Sequence, residues 1–261
     1  MKFYTRQHKY YCGIDLHAKS MYICILNDTN QVVFHKNVKT KPDALLNAIK
    51  PFQDNIVIGV ECMFCWYWVA DFCAENDIEF ILGHALYMKS IHGGKAKNDK
   101  VDSYKIASLI KGGNFPLAYV YPRDMRSSRD LLRRRMHLMR KRSELLSHIH
   151  NTNAQYNFDP LGKNLRYKGN RSLVEGRFND PSVQKSIDLN IALINFYDEQ
   201  LRDVEYFIRK HAKVNDYQSY MLLNSVPGIG QIISLVLLYE IYDISRFQTV
   251  QDFASYARLV K

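Results

Sequence analysis

The sequence predicts a mixed α/β sheet domain followed by a region of long helices, and three observations carry that expectation. Short apolar runs of strand character alternate with helical patterns through the first third of the chain. Beyond Pro122 the β-branched runs give way to apolar residues at helical spacing. Nearly half of the 261 residues are apolar and 13% are aromatic, enough to build a sizeable core and to argue against wholesale disorder.

Taken in order, YYCGID from Tyr10, then SMYICILND, then QVVFHKNV read as three strands, with Asn27-Asp28-Thr29-Asn30 as the turn between the last two, which makes a β-meander. Residues 42–52 look helical. NIVIGVE, from Asn55 to Glu61, is a continuous apolar strand of the kind buried on both faces. A helix rich in Trp, Phe and Cys follows, and IEFILG (Ile78 to Gly83) is another strand. Gly93-Gly94 leads into KAKNDKVDSYKIASLI, whose Val101, Ile106, Leu109 and Ile110 share a helical face, and Gly112-Gly113 ends that helix.

Past NFPLAYVYP the pattern changes, and a domain boundary is expected near Pro122. Leu132, Met136, Met139 and Leu146 define one long amphipathic helix; Ile187, Ile191, Ile194, Leu201, Val204 and Ile208 define a second, packed with it as a hairpin or coiled coil. The polar stretch from Asn151 to Pro181 reads as an irregular loop or short helix. LLNSVPGIGQIISLVLLYEI reads as two helices joined at Pro227-Gly228-Ile229-Gly230. The expected units are residues 1–121, 122–215 and 216–261.

Lys and Arg outnumber Asp and Glu, 36 to 26. Such an excess suits a polyanionic partner, since neutralising phosphates releases counterions; an anionic membrane surface stays open. No apolar run approaches the roughly 20 residues that cross a bilayer, and MKFYTRQHKYY lacks the apolar stretch of a secretory signal, so a cytoplasmic location without membrane attachment is expected. The five cysteines (Cys12, Cys24, Cys62, Cys65, Cys73) are odd in number and confined to the first third, which fits reduced thiols better than a disulfide framework. Cys62-Met63-Phe64-Cys65 suggests zinc or redox chemistry only weakly. A second ligand pair is missing, and Trp66, Tyr67 and Trp68 favour a packed helix.

Four carboxylates carry the sharpest chemical signal. Asp15 ends the first strand and Glu61 ends NIVIGVE, while Asp99 and Asp102 are three apart on a helix and so share a face. Acids are disfavoured at buried strand ends, and clustered like charges are prohibitive without a cation, so a hard divalent metal is the natural occupant. Such ions can activate a water or hydroxyl and stabilise a leaving oxygen in phosphodiester cleavage. Each acid alone is more simply a solvated or capping carboxylate; the joint placement is what points to a site. His17 and Lys19 beside Asp15 are candidates for touching a substrate phosphate, with surface turn residues the equal alternative.

Nine basic residues fall between Arg123 and Arg142, and Asp124, Asp130 and Glu144 reduce the excess up to His150 to six. The expected nucleic-acid contacts there are Arg126, Arg129, Arg133, Arg134, Arg135, Arg140, Lys141 and Arg142, because a block of one sign repels itself and attracts an anion. Gly228 and Gly230 can let backbone amides approach a phosphate at a helix N-terminus; a tight inter-helix turn is the equal alternative.

GIDLHAKS, GVECMFCWYW and KNDKVDSYKIASLI resemble the three blocks of the DEDD transposases of the insertion-sequence one-ten family, which includes the Piv-type DNA invertases. The resemblance implies an RNase H-like, RuvC-like N-terminal domain in which Asp15, Glu61, Asp99 and Asp102 hold Mg2+ or Mn2+ as catalytic acids. The segment NSVPGIGQIISLVLLYEIYDISRFQTVQDFASYARLV is similar to the family's second domain, a helical, helix-hairpin-helix-like unit. In the family that domain continues and carries a nucleophilic serine, so the chain ending at Lys261 is expected to bind metal and nucleic acid without completing strand exchange alone. Leu235, Leu237 and Leu238 are expected to be exposed for want of their packing partner, favouring a homo-oligomer. The implied partners are DNA and a noncoding guide RNA, in a bacterial, nucleoid-associated setting. Alternatives are a non-catalytic nucleic-acid-binding remnant and a junction-resolving RuvC-like nuclease. An actin-like ATPase also begins Gly-Ile-Asp, but Leu16 and His17 intrude where it needs small residues.

Overall fold

A computed structural model describes residues 2–91, 98–212 and 216–259. Gly93-Gly94, the turn expected before the acid-bearing helix, lies outside them. The chain is mixed α/β and divides into two compact units, residues 1–123 with 250–261, and residues 124–249.

The first unit is built on a seven-stranded sheet. Its strands are β1 (Phe3–Tyr4), β2 (Tyr10–Leu16), β3 (Ser20–Asn27), β4 (Val32–Lys39), β5 (Ile56–Glu61), β6 (Glu79–Gly83) and β7 (Phe115–Ala118), in the order β1-β7-β6-β5-β2-β3-β4. β2, β3 and β4 form the expected antiparallel meander. The Asn27 carboxamide accepts from the Thr29 and Gln31 amides, and Asn30 takes φ +66°, which closes the turn between β3 and β4. β4 is the sheet edge, and it carries Lys36 and Lys39, which discourages a further strand from pairing there.

β5 pairs parallel with both β2 and β6 and is buried along its length up to Glu61. Side-chain alternation gives the sheet two apolar faces. Cys12, Ile14, Leu16, Ile58 and Val60 meet Leu45 and Ile49 of α1 (Pro42–Ile49) and Val69, Phe72 and Cys73 of α2 (Tyr67–Glu75). On the opposite face Tyr11, Val57 and Ile81 meet Ile106, Ala107, Leu109 and Ile110 of α4 (Asp99–Lys111), which follows the short α3 (Ala85–Ile91). Cys62 to Cys65 lie in the turn before α2 rather than in the helix.

In the second unit α5 (Arg123–Gln155) and α6 (Pro181–His211) are the two long helices. Ile149 packs with Ile187 and Ile194 at one end, sealed by Leu165, Val174 and Phe178 from the intervening segment. That segment is mostly irregular, with a 3-10 turn at Lys168–Val174. The buried Arg171 organises it, donating to the carbonyls of Leu165 and Arg166 and to Asn195 and Asp198 of α6.

At the other end α8 (Gln231–Ile241), which follows α7 (Tyr217–Ser225), sets Ile232, Leu235 and Tyr239 against Met125, Leu132 and Ile208. This corrects the expectation of an uncovered apolar helix: Leu235 is 2% exposed, and Leu237 and Leu238 are half-buried. The long helices supply the partner that the sequence reading sought further along the chain. A last short helix, α9 (Val250–Tyr256), belongs to the first unit.

Candidate active site

Two glycines set the geometry around Asp15. A Cβ on Gly13 would stand 2.3 Å from the Ala107 amide nitrogen and 2.4 Å from the Ser103 carbonyl oxygen, so α4 rests on bare strand backbone at that point. Gly59, beside Gly13 on the neighbouring strand, leaves room in the same way for Ile110, 2.5 Å from its notional Cβ. With Ala107 over Gly13, the N-terminal turn of α4 lies toward the end of β2, where Asp15 stands two residues on.

Gly-Ile-Asp on β2 and Gly-Val-Glu on β5 are in parallel register, Ile14 opposite Val60, so Asp15 and Glu61 stand level at the carboxyl ends of adjacent strands. The alternation that puts Ile14 and Val60 in one core puts both acids on the α4 face. The α4 N-terminus is capped by Asn98, whose carboxamide accepts from the Lys100 amide. It is fastened to β4 by His35, whose Nε2 lies 2.9 Å from the Lys100 carbonyl and 3.2 Å from the Ser103 hydroxyl.

Among the described residues, Asp15, His17 and Asp99 each bring one potential ligand atom to within 4.8 Å of the others. His17 Nε2 is 3.4 Å from Asp15 Oδ2 and 3.7 Å from Asp99 Oδ1. Burial raises the Asp15 carboxyl above the usual aspartate value; the charges of Asp99 and Asp102 add to the rise and His17 opposes it. Asp102 and Glu61 stand outside this three-residue group. Asp102 faces Lys105 at 3.3 Å and acts on Asp15 through its charge, and Glu61 is half-buried at its strand end. A set of carboxylates in which one is partly desolvated and pushed toward protonation by its neighbours fits a hard divalent cation.

Gly13, Gly59 and His35 are functional positions beyond those expected from the sequence. The signal for the glycines was present, since a Gly two residues before each strand-ending acid marks close approach of another element. His35 had no local signature, because its partners are 65 and 68 residues away.

The arginine-rich helix is more self-contained than its local composition suggests. Arg129 and Arg133 both bind Glu240 of α8, at 2.9 and 2.6 Å. Arg135 binds Glu205 at 2.5 Å, and Arg142 shares Asp198 with Arg171. Burial alone would raise the Glu240 carboxyl, but Arg133 and Arg129 outweigh it and hold it below the usual glutamate value. Asp198 is likewise lowered by Arg171 and Arg142 against the effect of its burial. Arg126 is buried, and Lys141 pairs with Glu144 on the surface. Arg134 and Arg140 are exposed, and among the described residues they make no ion pair.

Gly228 takes φ +90° and Gly230 precedes α8 without a side-chain cap. Neither has an atom within 4 Å of a notional Cβ, so both face open space. Cys12, Cys24 and Cys73 are buried, the last two with thiols pushed up by burial to about 12, and Cys65 donates to the Leu16 carbonyl. These are not activated thiols.

The acids of β2, β5 and α4 fall inside a segment, residues 12–157, that matches a DEDD-type transposase model. Residues 220–261 match the model of the transposase IS116/IS110/IS902 family. The chain belongs to the IS110 family of transposases. No curated protein matches it. The first match, more than half of the chain, runs from β2 to the end of α5 and the second from α7 through α9. An IS110-family chain is an enzyme acting on DNA, and its DEDD domain implies use of a divalent metal. Among the described residues no helix is long and apolar enough to cross a membrane.

Proposed function

We propose that this transposase cleaves and transfers DNA phosphodiesters at a site where Asp15, Glu61, Asp99 and Asp102 hold Mg2+ or Mn2+, on a RuvC-like, RNase H-like domain. The observation that supports this most is the close seat of α4 on Gly13 and Gly59, which gathers Asp15 and Asp99 around His17. When bound, the ion supplies a polarised nucleophile and stabilisation of the leaving oxygen. The chain's own part is to orient it. β2 and β5 present Asp15 and Glu61 side by side, and Asn98 and His35 hold the turn that carries Asp99 and Asp102.

For nucleic acid, the exposed Arg134 and Arg140 are the best-supported phosphate contacts of α5, with the open backbone at Gly228 and Gly230 as a second one. Arg126, Arg129, Arg133, Arg135 and Arg142 act first as structural cations. By family resemblance a guide RNA directs the choice of DNA site. Within this reading the domain limits are 1–121, 122–215 and 216–261, the last two sharing the α8 contact.

The test is calorimetric titration of Mn2+ and Mg2+ into the wild-type chain and Glu61→Gln, paired with nicking of supercoiled DNA. Saturable binding that Glu61→Gln abolishes, together with nicking that follows it, is the expected result. Unchanged binding in the variant defeats the four-acid assignment.

A further inference from the structure

We propose that His17 is itself a ligand of the bound divalent ion, so that the centre offers one imidazole nitrogen among its carboxylate oxygens. This rests on the metal-dependent reading above and adds a donor of a different chemical kind. His17 is the first residue beyond β2, and its backbone is held on both sides: its amide donates to the Ser20 carbonyl at 3.0 Å, and its carbonyl accepts from Thr40 Oγ1 at 2.7 Å. A side chain leaving so fixed a backbone is pre-organised, as ligands of a metal centre need to be.

The spacing is compatible with three ligands of one ion. Charge-assisted bonds close to about 2.7–2.9 Å. The partly buried pairs of α5 in this molecule do so, Arg142 reaching Asp198 at 2.6 Å and Arg129 reaching Glu240 at 2.9 Å. His17 Nε2 instead stands off from Asp15 at 3.4 Å and from Asp99 at 3.7 Å. Adjacent ligands of an octahedral ion with bonds of about 2.1 Å are about 3 Å apart and opposite ones about 4.2 Å. The two His17 distances lie between those values, and the three atoms all fall within 4.8 Å of one another.

The consequence is selectivity. Mg2+ favours an all-oxygen shell, whereas imidazole raises the affinity of first-row transition ions, so His17 biases the centre toward Mn2+ over Mg2+.

The test is pulsed EPR of the Mn2+-loaded chain, read for coupling to a nitrogen nucleus, with competition against Mg2+. The wild type should show nitrogen coupling, and His17→Gln should lose it while keeping the wild-type circular dichroism. The preference for Mn2+ over Mg2+ should fall about tenfold in the variant. Mn2+ that binds in an Asp15-dependent manner with an oxygen-only shell overturns the role of His17 and leaves the four-acid site standing. Nitrogen coupling that persists in His17→Gln overturns it as well. Absence of Mn2+ binding in the wild type overturns both this inference and the proposed function.

Discussion

The acid site and the arginine helix are both concentrations of one charge, and the fold treats them in opposite ways. Around Asp15 it adds like to like, laying the N-terminal turn of α4 with Asp99 and Asp102 against a partly buried carboxylate. Along α5 it supplies the opposite charge from elsewhere, Glu240 for Arg129 and Arg133, Glu205 for Arg135, Asp198 for Arg142. A charge excess left unmatched inside a fold calls for something from outside; one that is matched is structure. By that criterion the smaller, acidic cluster is the stronger sign of function, although the basic block dominates the net charge.

The largest effect that could break this comparison is at Asp15. Asp15→Asn should remove divalent-metal binding and DNA cleavage with no loss of thermal stability, because it takes away a carboxylate that burial and its neighbours already disfavour. A large fall in melting temperature, followed by calorimetry, would make Asp15 structural and erase the contrast.

Gly13→Ala comes next. Its Cβ would collide with backbone atoms of α4, which cannot rotate aside, and the expected cost is about 3 kcal/mol together with weakened metal binding. Gly59→Ala meets side-chain atoms alone, Ile110 Cδ1 at 2.5 Å and Ile81 Cγ1 at 3.3 Å, and should cost distinctly less. Denaturant melts of the two variants, compared under the same conditions, test whether the glycines serve the seat of α4.

Glu240→Gln probes the other side. It removes the carboxylate that binds Arg129, which is largely buried, and Arg133, which is half-exposed, so the cost should be about 2 kcal/mol, below that of breaking a fully buried pair. No change in the urea midpoint would mean that these arginines are available for nucleic acid after all.

Acid titration should separate the two regions by sign. Asp198 and Glu240 are held below their ordinary values of 3.8 and 4.5, so the stability they contribute is present above those values and is lost as pH falls through their lower folded values. Asp15 is raised above 3.8, so its contribution is present below that value and is lost as pH rises through its folded value. Urea midpoints against pH should therefore show a smaller acid-side fall in Glu240→Gln, the part due to Asp198 remaining, and should lose the opposite, higher-pH component in Asp15→Asn.

The smallest effect expected is at Arg134 and Arg140. Reversing both to Glu should weaken binding to unrelated DNA sequences alike and flatten the salt dependence by about one unit per lost phosphate contact, with the melting temperature nearly unchanged. A sequence-selective loss in filter binding would contradict a backbone-tracking role.

Much of the fold was legible because it depends on short-range pattern. Alternation marked β2, β3 and β4, the Asn27 turn lay between the last two, and the continuous apolar run of β5 announced burial on both faces. β1 and β7 were not legible: they are two and four residues long, β7 contains Pro116, and their pairing joins segments over 100 residues apart. In the site, the acids could be read from strand ends and a three-residue helical interval, and His17 was visible only as a neighbour of Asp15. Its meeting with Asp99 depends on where α4 lands, which two glycines on different strands decide. The ion pairs of α5 were not legible for a related reason: Asp124, Asp130 and Glu144 are the acids near in sequence, whereas the acids that pair with its arginines lie 56 to 111 residues on.

That separation also has a meaning in time. Arg133 leaves the ribosome 107 residues before Glu240, and at synthesis rates of about 5–20 residues per second the two are born roughly 5–20 s apart. During that interval α5 is a nascent cationic helix lacking its later anions, beside the ribosomal RNA that made it. Part of that charge is matched when Asp198 and Glu205 of α6 emerge, and the rest of the matching, at Arg129 and Arg133, waits for Glu240 of α8.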